Sequence, residues 1–99
     1  MKVYRLPPVD AEFIEAVFYY RGIEPGLGER LVREFEVVIQ RIVRFPQGSR
    51  LITPNLRQCA LKAIPYVVIY ALQEDQITVV AFADTHRRLD HWRERLNSL

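Results

Sequence analysis

Two apolar runs in the second half of the chain dominate its hydrophobic pattern. Residues 66–72 and 77–83 are rich in Val, Ile, Tyr and Phe, which favour pleated strands. The polar residues 73–76 separate the runs, and Pro65 precedes the first. This arrangement predicts an antiparallel β-hairpin at the centre of a sheet. Because both faces of the hairpin are apolar, we expect other parts of the structure to cover each face.

Periodicity before the hairpin predicts a strand, a pair of helices and further strands. Pro7 and Pro8 are expected to end the first strand, and Asp10 to cap the helix that follows. Pro and Gly within residues 24–28 predict a tight connector between the helices. The predicted elements are an edge strand at residues 2–6, helices at 10–21 and 29–45, a ragged strand at 50–53 and a strand at 57–63.

The complete pattern predicts one α+β domain spanning residues 1–99. Its order is an N-terminal β-strand, an α-helical hairpin, a three-stranded antiparallel meander that completes the sheet, and a short C-terminal helix from Asp90. Two helices can cover one face of the sheet. The short last helix is expected to shield the other face only in part. We therefore expect an uncovered apolar patch, which in a monomer usually marks a partner's binding site.

Composition narrows the class of protein. The 99 residues are 49% hydrophobic and 26% charged, as in globular proteins, and the net charge of +2 does not by itself indicate nucleic-acid binding. Cys59 is the only cysteine, which suits a reducing compartment. The apolar runs are far shorter than the ~20 residues of a membrane span. These features predict a cytoplasmic protein without a membrane segment.

The polar residues most suggestive of function follow directly after the second apolar run, and we call this segment the basic exit. His86 could act as a general acid or base, or simply stabilise a turn. Arg87 and Arg88 could clamp a phosphate or an acidic partner, or remain solvated. The spacing of Asp84 and His86 from Asp90 and His91 does not match a metal site, and we expect no metal and no cofactor.

An ordered set of short motifs resembles the RelE/ParE toxin superfamily of bacterial type II toxin–antitoxin systems. The resemblance spans nearly the whole chain and is stronger to the ParE and plasmid-stabilisation branch than to the RelE branch. The matching residues are Tyr19-Tyr20, Pro25-Gly26-Leu27-Gly28, Pro46, Arg57, Ile64-Pro65-Tyr66, Ile69-Tyr70, His86-Arg87-Arg88, Trp92 and Arg95.

The resemblance implies a growth-inhibiting toxin neutralised by a cognate antitoxin protein. A ParE-like toxin would bind a cellular target, with DNA gyrase the first expectation, and would have no catalytic residues. Homodimers and heterotetramers with the antitoxin are both open, as is direct nucleic-acid binding. The expected target- or antitoxin-binding residues are Arg57, Tyr66, His86, Arg87, Arg88, Trp92 and Arg95.

Two alternatives remain. A RelE-like toxin would be a metal-independent, ribosome-dependent mRNA endoribonuclease, and its phosphate-handling residues would be Arg57, Lys62, His86 and Arg88. Against this, Val67 stands where the ribonuclease members often have an arginine. The second alternative is a non-toxic interaction module that retains the same fold.

Overall fold

The structure is a computed structural model that describes residues 1–86 and Arg95. Two helices and four of the five strands follow an N-terminal strand, and the described helices include none long and apolar enough to cross a membrane. The predicted C-terminal helix lies outside the described residues. The elements are β1 (Lys2–Arg5), α1 (Pro7–Ile23), α2 (Pro25–Arg44), β2 (Arg50–Thr53), β3 (Leu56–Ala60), β4 (Tyr66–Gln73) and β5 (Gln76–Asp84).

The five strands form one mixed sheet in the order β1-β5-β4-β3-β2. Strand β1 pairs in parallel with β5 at one edge, and the remaining neighbours pair antiparallel. The predicted α+β fold, the edge position of β1 and the central hairpin β4–β5 are thereby confirmed. The meander has four strands rather than three, because the ragged segment β2 also pairs with β3.

Each helix begins at a proline, where the sequence pattern predicted the end of a strand for Pro7 and a connector for Pro25. Pro7 and Pro25 occupy the first turns of α1 and α2, and only Glu24 separates the helices. The predictions that residues 24–28 form a connector and that Asp10 caps α1 are therefore wrong. Proline suits the first helical turn, since its fixed φ is helical and its missing N–H would have no intrahelical acceptor there. Asp10 lies inside that turn and pairs with Arg5 at 3.2 Å.

Both faces of the central hairpin are buried, contrary to the predicted uncovered patch. Val67 and Ile69 on one face of β4, and Val68 and Tyr70 on the other, are each at most 3% exposed. The large apolar side chains that remain exposed lie on the two helices, just after α2 and on the edge strands. They include Ile14, Phe18, Tyr19, Ile23, Val37, Phe45, Tyr4 and Leu51.

Candidate functional site

Arg57 is fixed at the sheet end that supports the C-terminus of α2. Its Nη1 donates hydrogen bonds to the backbone oxygens of Gln47 (3.0 Å) and Ser49 (2.8 Å). Tyr70, which pairs with Arg57 across β3 and β4, donates its hydroxyl to Pro46 O at 2.7 Å. Burial raises the pKa of the Tyr70 phenol above its ordinary value of 10.0, so the hydroxyl remains a donor well beyond neutral pH. Arg57 and Tyr70 together attach the loop after α2 to the sheet.

His86 lies on an exposed turn just past the end of β5, beside the start of β4. Its backbone N–H donates to Asp84 Oδ1 at 2.8 Å, and its imidazole is 77% exposed. Thr85 donates both its N–H and its hydroxyl to Pro65 O, which fastens the turn to the start of β4. The described residues contain no group of three or more His, Cys, Asp or Glu side chains able to hold a metal ion.

The nuclease candidates Arg57 and His86 are far apart. Asp84, two residues before His86, pairs with Tyr66, whereas Arg57 pairs with Tyr70. Tyr66 and Tyr70 are four residue steps apart on β4, a distance of about 13 Å along the strand. Since the Arg57 guanidinium also turns toward the loop after α2, the structure does not bring Arg57 and His86 to one phosphate.

Tyr66 belongs to the aromatic packing between the sheet and α1. Its ring stacks on Phe82 at 4.7 Å between centroids and meets Tyr20 edge-on at 6.1 Å. Phe82 also contacts Phe35 of α2 at 5.3 Å. Tyr66 is therefore placed as a packing residue with one partly exposed side.

Arg95 forms hydrogen bonds along the edge of β5 beyond the end of β1. The last backbone bond between these strands runs from Leu6 N–H to Val79 O, and Val80 is then an unpaired bulge residue. Past this point Arg95 Nη1 donates to Val80 O at 3.0 Å, and Phe82 N–H donates to Glu12 Oε1 at 3.1 Å.

Glu12 and Arg95, which both bond to the backbone of β5, also pair with each other. Both Arg95 nitrogens Nη1 and Nη2 lie 3.0 Å from the Glu12 carboxylate oxygens, as a two-pronged ion pair. Each side chain is about one-fifth exposed. Arg95 is thus engaged within the chain, while Arg87, Arg88 and Trp92 lie outside the described residues.

Lys62 lines a groove of about 670 Å³ between α2 and the end of β3. We call this cavity the α2 groove. Val37, Val38 and Ala60 give the groove aliphatic lining, and Arg33, Arg41 and Lys62 give it basic lining. Its lining residues are Arg33, Glu34, Val37, Val38, Arg41, Ala60 and Lys62.

An apolar surface continues from the α2 groove along the C-terminal half of α2. Val37 and Arg41 belong to both regions, and the surface ends at Phe45. Val37 is 57% exposed and Phe45 is 60% exposed. Apolar side chains this open, grouped beside a groove, are typical of a protein-interaction surface.

Glu34 is the acidic residue that lines the α2 groove, and its carboxylate already has hydrogen-bond partners within the chain. Its carboxylate accepts hydrogen bonds from Ala63 N–H and from Arg30 Nε, both at 2.9 Å. Burial alone would raise the pKa of Glu34, but the hydrogen bonds from Ala63 and Arg30 outweigh it and lower the pKa. Glu34 therefore remains ionised while it joins α2 to the turn before β4.

Comparison with solved structures finds a protein of similar architecture. One protein in the structure titled "Chromosomal ParDE TA system from P. aeruginosa" aligns with a TM-score of 0.63 over 85% of this chain and 95% of its own. The chain has a ParE-like fold. The sequence identity is 12%, and neither a protein-family model nor a curated protein matches the sequence.

Within this ParE-type fold, the groove is the feature that motif reasoning missed. The sequence does contain a signal for it: Arg33, Val37 and Arg41 recur every four residues and so lie on one face of α2. The acceptor role of Glu34 could not be read from the sequence, since Ala63 lies 29 residues away.

Proposed function

We propose that this chain is the toxin of a type II toxin–antitoxin pair, with residues 1–99 forming a single toxin domain. The observation that carries the proposal is the ParE-type fold, which extends over 85% of the chain. The exposed apolar side chains on α1 and α2 support it, because they supply surface for a protein partner. On this proposal the partner is a cognate antitoxin, and the pair acts in the cytoplasm.

The toxin is proposed to inhibit growth by binding a target protein, DNA gyrase first, rather than by cutting RNA. Three placements support this choice. Arg57 is engaged by backbone oxygens, and it lies far from His86. Val67, which stands where ribonuclease members often have an arginine, is 3% exposed and uncharged. Among the described candidates, Arg57 and His86 are therefore not gathered around one phosphate.

Controlled expression of the chain in bacteria tests the proposal. We expect growth arrest with filamentation and induction of DNA-damage signalling, since blocked gyrase leaves chromosomes unsegregated. Arrest accompanied by mRNA cut within ribosomes would instead identify a RelE-like ribonuclease. Unimpaired growth at a verified level of folded protein would indicate a non-toxic interaction module.

Arg88→Ala tests the basic exit as the toxic surface. We expect this variant to lose growth arrest while its thermal melting stays that of the wild type. Arg50→Ala is the matched control, because it removes an exposed arginine from the edge strand β2, away from the basic exit. If Arg88→Ala arrests growth as fully as Arg50→Ala, the basic exit is not the toxic surface.

A further inference from the structure

The side of α1 that faces away from the core is apolar and uncovered. Its exposed side chains form two neighbouring rows at helical spacing, Ile14 with Phe18 and Tyr19 with Ile23, and each is between 53% and 63% exposed. We call these four side chains the α1 stripe. None of them lines the α2 groove. Since a helix that is apolar on both sides is normally packed on both, the α1 stripe lacks a partner in the single chain.

The charges beside the α1 stripe lie symmetrically about Phe18. Glu15 and Arg21 stand three residues before and after it, each about 4.5 Å away along the helix axis. Arg21 is held in place, because its Nη2 lies 3.0 Å from Glu29 Oε1 and its guanidinium carbon lies 5.8 Å from the centre of the Phe18 ring. Within the described part of the chain, Glu15 has no cation within 4.0 Å. A positioned cation and an unpaired anion therefore flank the stripe.

This surface is complementary to a second copy of itself. When two α1 helices pack antiparallel about a two-fold axis at Phe18, Glu15 of each copy comes level with Arg21 of the other. Ile14 comes level with Gly22, where an added Cβ would meet no atom within 4 Å, so the glycine leaves room for it. Antiparallel helices that cross at about 20° approach to about 8–10 Å, within reach of these side chains. A parallel pair would instead set Glu15 against Glu15 and Arg21 against Arg21.

The apolar area of the stripe is that of a weak dimer. At about 100 Å² for each large, half-exposed side chain, the stripes of two copies would cover about 800 Å². The flanking residues Glu15, Arg21 and Gly22 add to this area and bring it near the lower limit of specific interfaces, about 1,200 Å². Contacts of this size are expected to hold with a micromolar dissociation constant.

We propose that the α1 stripe is the contact between two copies of this chain. The two α1 helices lie antiparallel, with Phe18 at the two-fold axis and a Glu15–Arg21 pair at each end. The stripe shares no residue with the α2 groove, so both copies keep the groove outside the contact. The inference concerns assembly and does not rest on the proposed function.

Sedimentation velocity of the full chain tests the dimer. We expect a monomer at about 1 μM and a dimer at about 500 μM. Phe18→Glu would bring two carboxylates together at the axis and should weaken the dimer by about tenfold or more. Val37→Glu is the matched control, since it changes an equally open apolar residue on α2 and should leave the dimer within about twofold. Thermal melting confirms that both variants are folded.

A charge exchange tests the antiparallel arrangement. Glu15→Arg alone and Arg21→Glu alone should each weaken the dimer by about tenfold, because like charges then meet at both ends of the contact. An equimolar mixture of the two variants should form a heterodimer about as strong as the wild-type dimer, since every cation of one variant meets a carboxylate of the other. Resonance energy transfer between N-terminally labelled variants measures this pairing.

Three outcomes would overturn the inference: a wild-type chain that stays monomeric to about 500 μM, equal weakening by Phe18→Glu and Val37→Glu, or a mixture of the charge variants that pairs no better than either alone. The expression experiment separates this inference from the proposed function. Arrest by a chain that stays monomeric keeps the toxin and removes the dimer, while a dimer without arrest does the reverse.

Discussion

The central hairpin and the outer surface of α2 contain similar side chains in opposite environments. Val68 and Val80 of the hairpin have no exposed surface, whereas Val37 on α2 is more than half exposed. The hairpin is buried on both faces between its neighbours. The surface of α2 instead combines open valine and phenylalanine side chains with arginines.

This difference assigns stability and recognition to separate regions. Buried apolar area stabilises the fold whether or not a partner is present, at roughly 25 cal/mol per Å². The same side chains on α2 contribute little to the free chain and become useful only when a second molecule covers them. Substitutions should therefore affect folding strongly in the hairpin and binding selectively on the helices.

Removal of a buried ring should give the largest effect. Phe82 is 2% exposed and packs on Phe13, Phe35 and Tyr66. We expect Phe82→Ala to lower the free energy of unfolding by about 3–5 kcal/mol in urea denaturation. Phe18→Ala, at a residue that is 63% exposed, should cost about 0.5 kcal/mol or less. Equal losses in the two variants would contradict the comparison.

Removal of the Glu12–Arg95 pair at the edge of β5 should have an intermediate effect on stability. Glu12→Ala leaves the N–H of Phe82 without this acceptor and Arg95 without its carboxylate. Because the pair is only partly buried, we expect a loss of about 2 kcal/mol in the free energy of unfolding. A double-mutant cycle with Arg95→Ala should show a coupling of about 1 kcal/mol. Additive losses would mean that the ion pair does not stabilise the edge.

Glu34→Gln should cost about 1 kcal/mol at pH 7, since Gln keeps an acceptor but loses the charge. The folded pKa of Glu34 lies below its ordinary value of 4.5, so ionisation stabilises the fold above that pH. The stability gap between wild type and variant should shrink as pH falls through the folded pKa. Urea midpoints from pH 7 to about pH 3 measure this gap, and a gap independent of pH would contradict the assigned charge.

The smallest folding effect is expected on the open surface of α2. Val37→Ser removes an apolar side chain from a residue that is 57% exposed, and should change the free energy of unfolding by about 0.5 kcal/mol or less. The same change should weaken binding of the proposed antitoxin severalfold, because Val37 lines the groove and is open to solvent. Thermal melting and a binding titration with the labelled antitoxin, made on one preparation, separate the two effects. A large loss of stability would mean that Val37 belongs to the core.

Local patterns were sufficient to predict most of the fold. The alternation in β1 and β3 and the apolar runs of β4 and β5 identify strands because strand side chains point to alternate faces. The ends of the helices were harder to predict. Pro7 and Pro25 have the same fixed φ in a turn as in the first turn of a helix, so sequence alone does not separate the two uses.

Contacts between distant residues could not be predicted from local patterns. Glu12 accepts the N–H of Phe82 from 70 residues away, and Arg95 reaches Val80 because a bulge turns that carbonyl to the edge. Arg57 matched a motif associated with phosphate contacts, yet in the fold its guanidinium donates hydrogen bonds to two backbone oxygens. Residue type suggests what a side chain can bind, but the assembled fold decides which partners it meets.

The most direct test of the account measures plasmid supercoiling by purified DNA gyrase as the purified chain is added. A ParE-type toxin that acts by binding should reduce supercoiling in proportion to its concentration, until the enzyme is saturated. Undiminished supercoiling at a large excess of folded chain would contradict gyrase as the target.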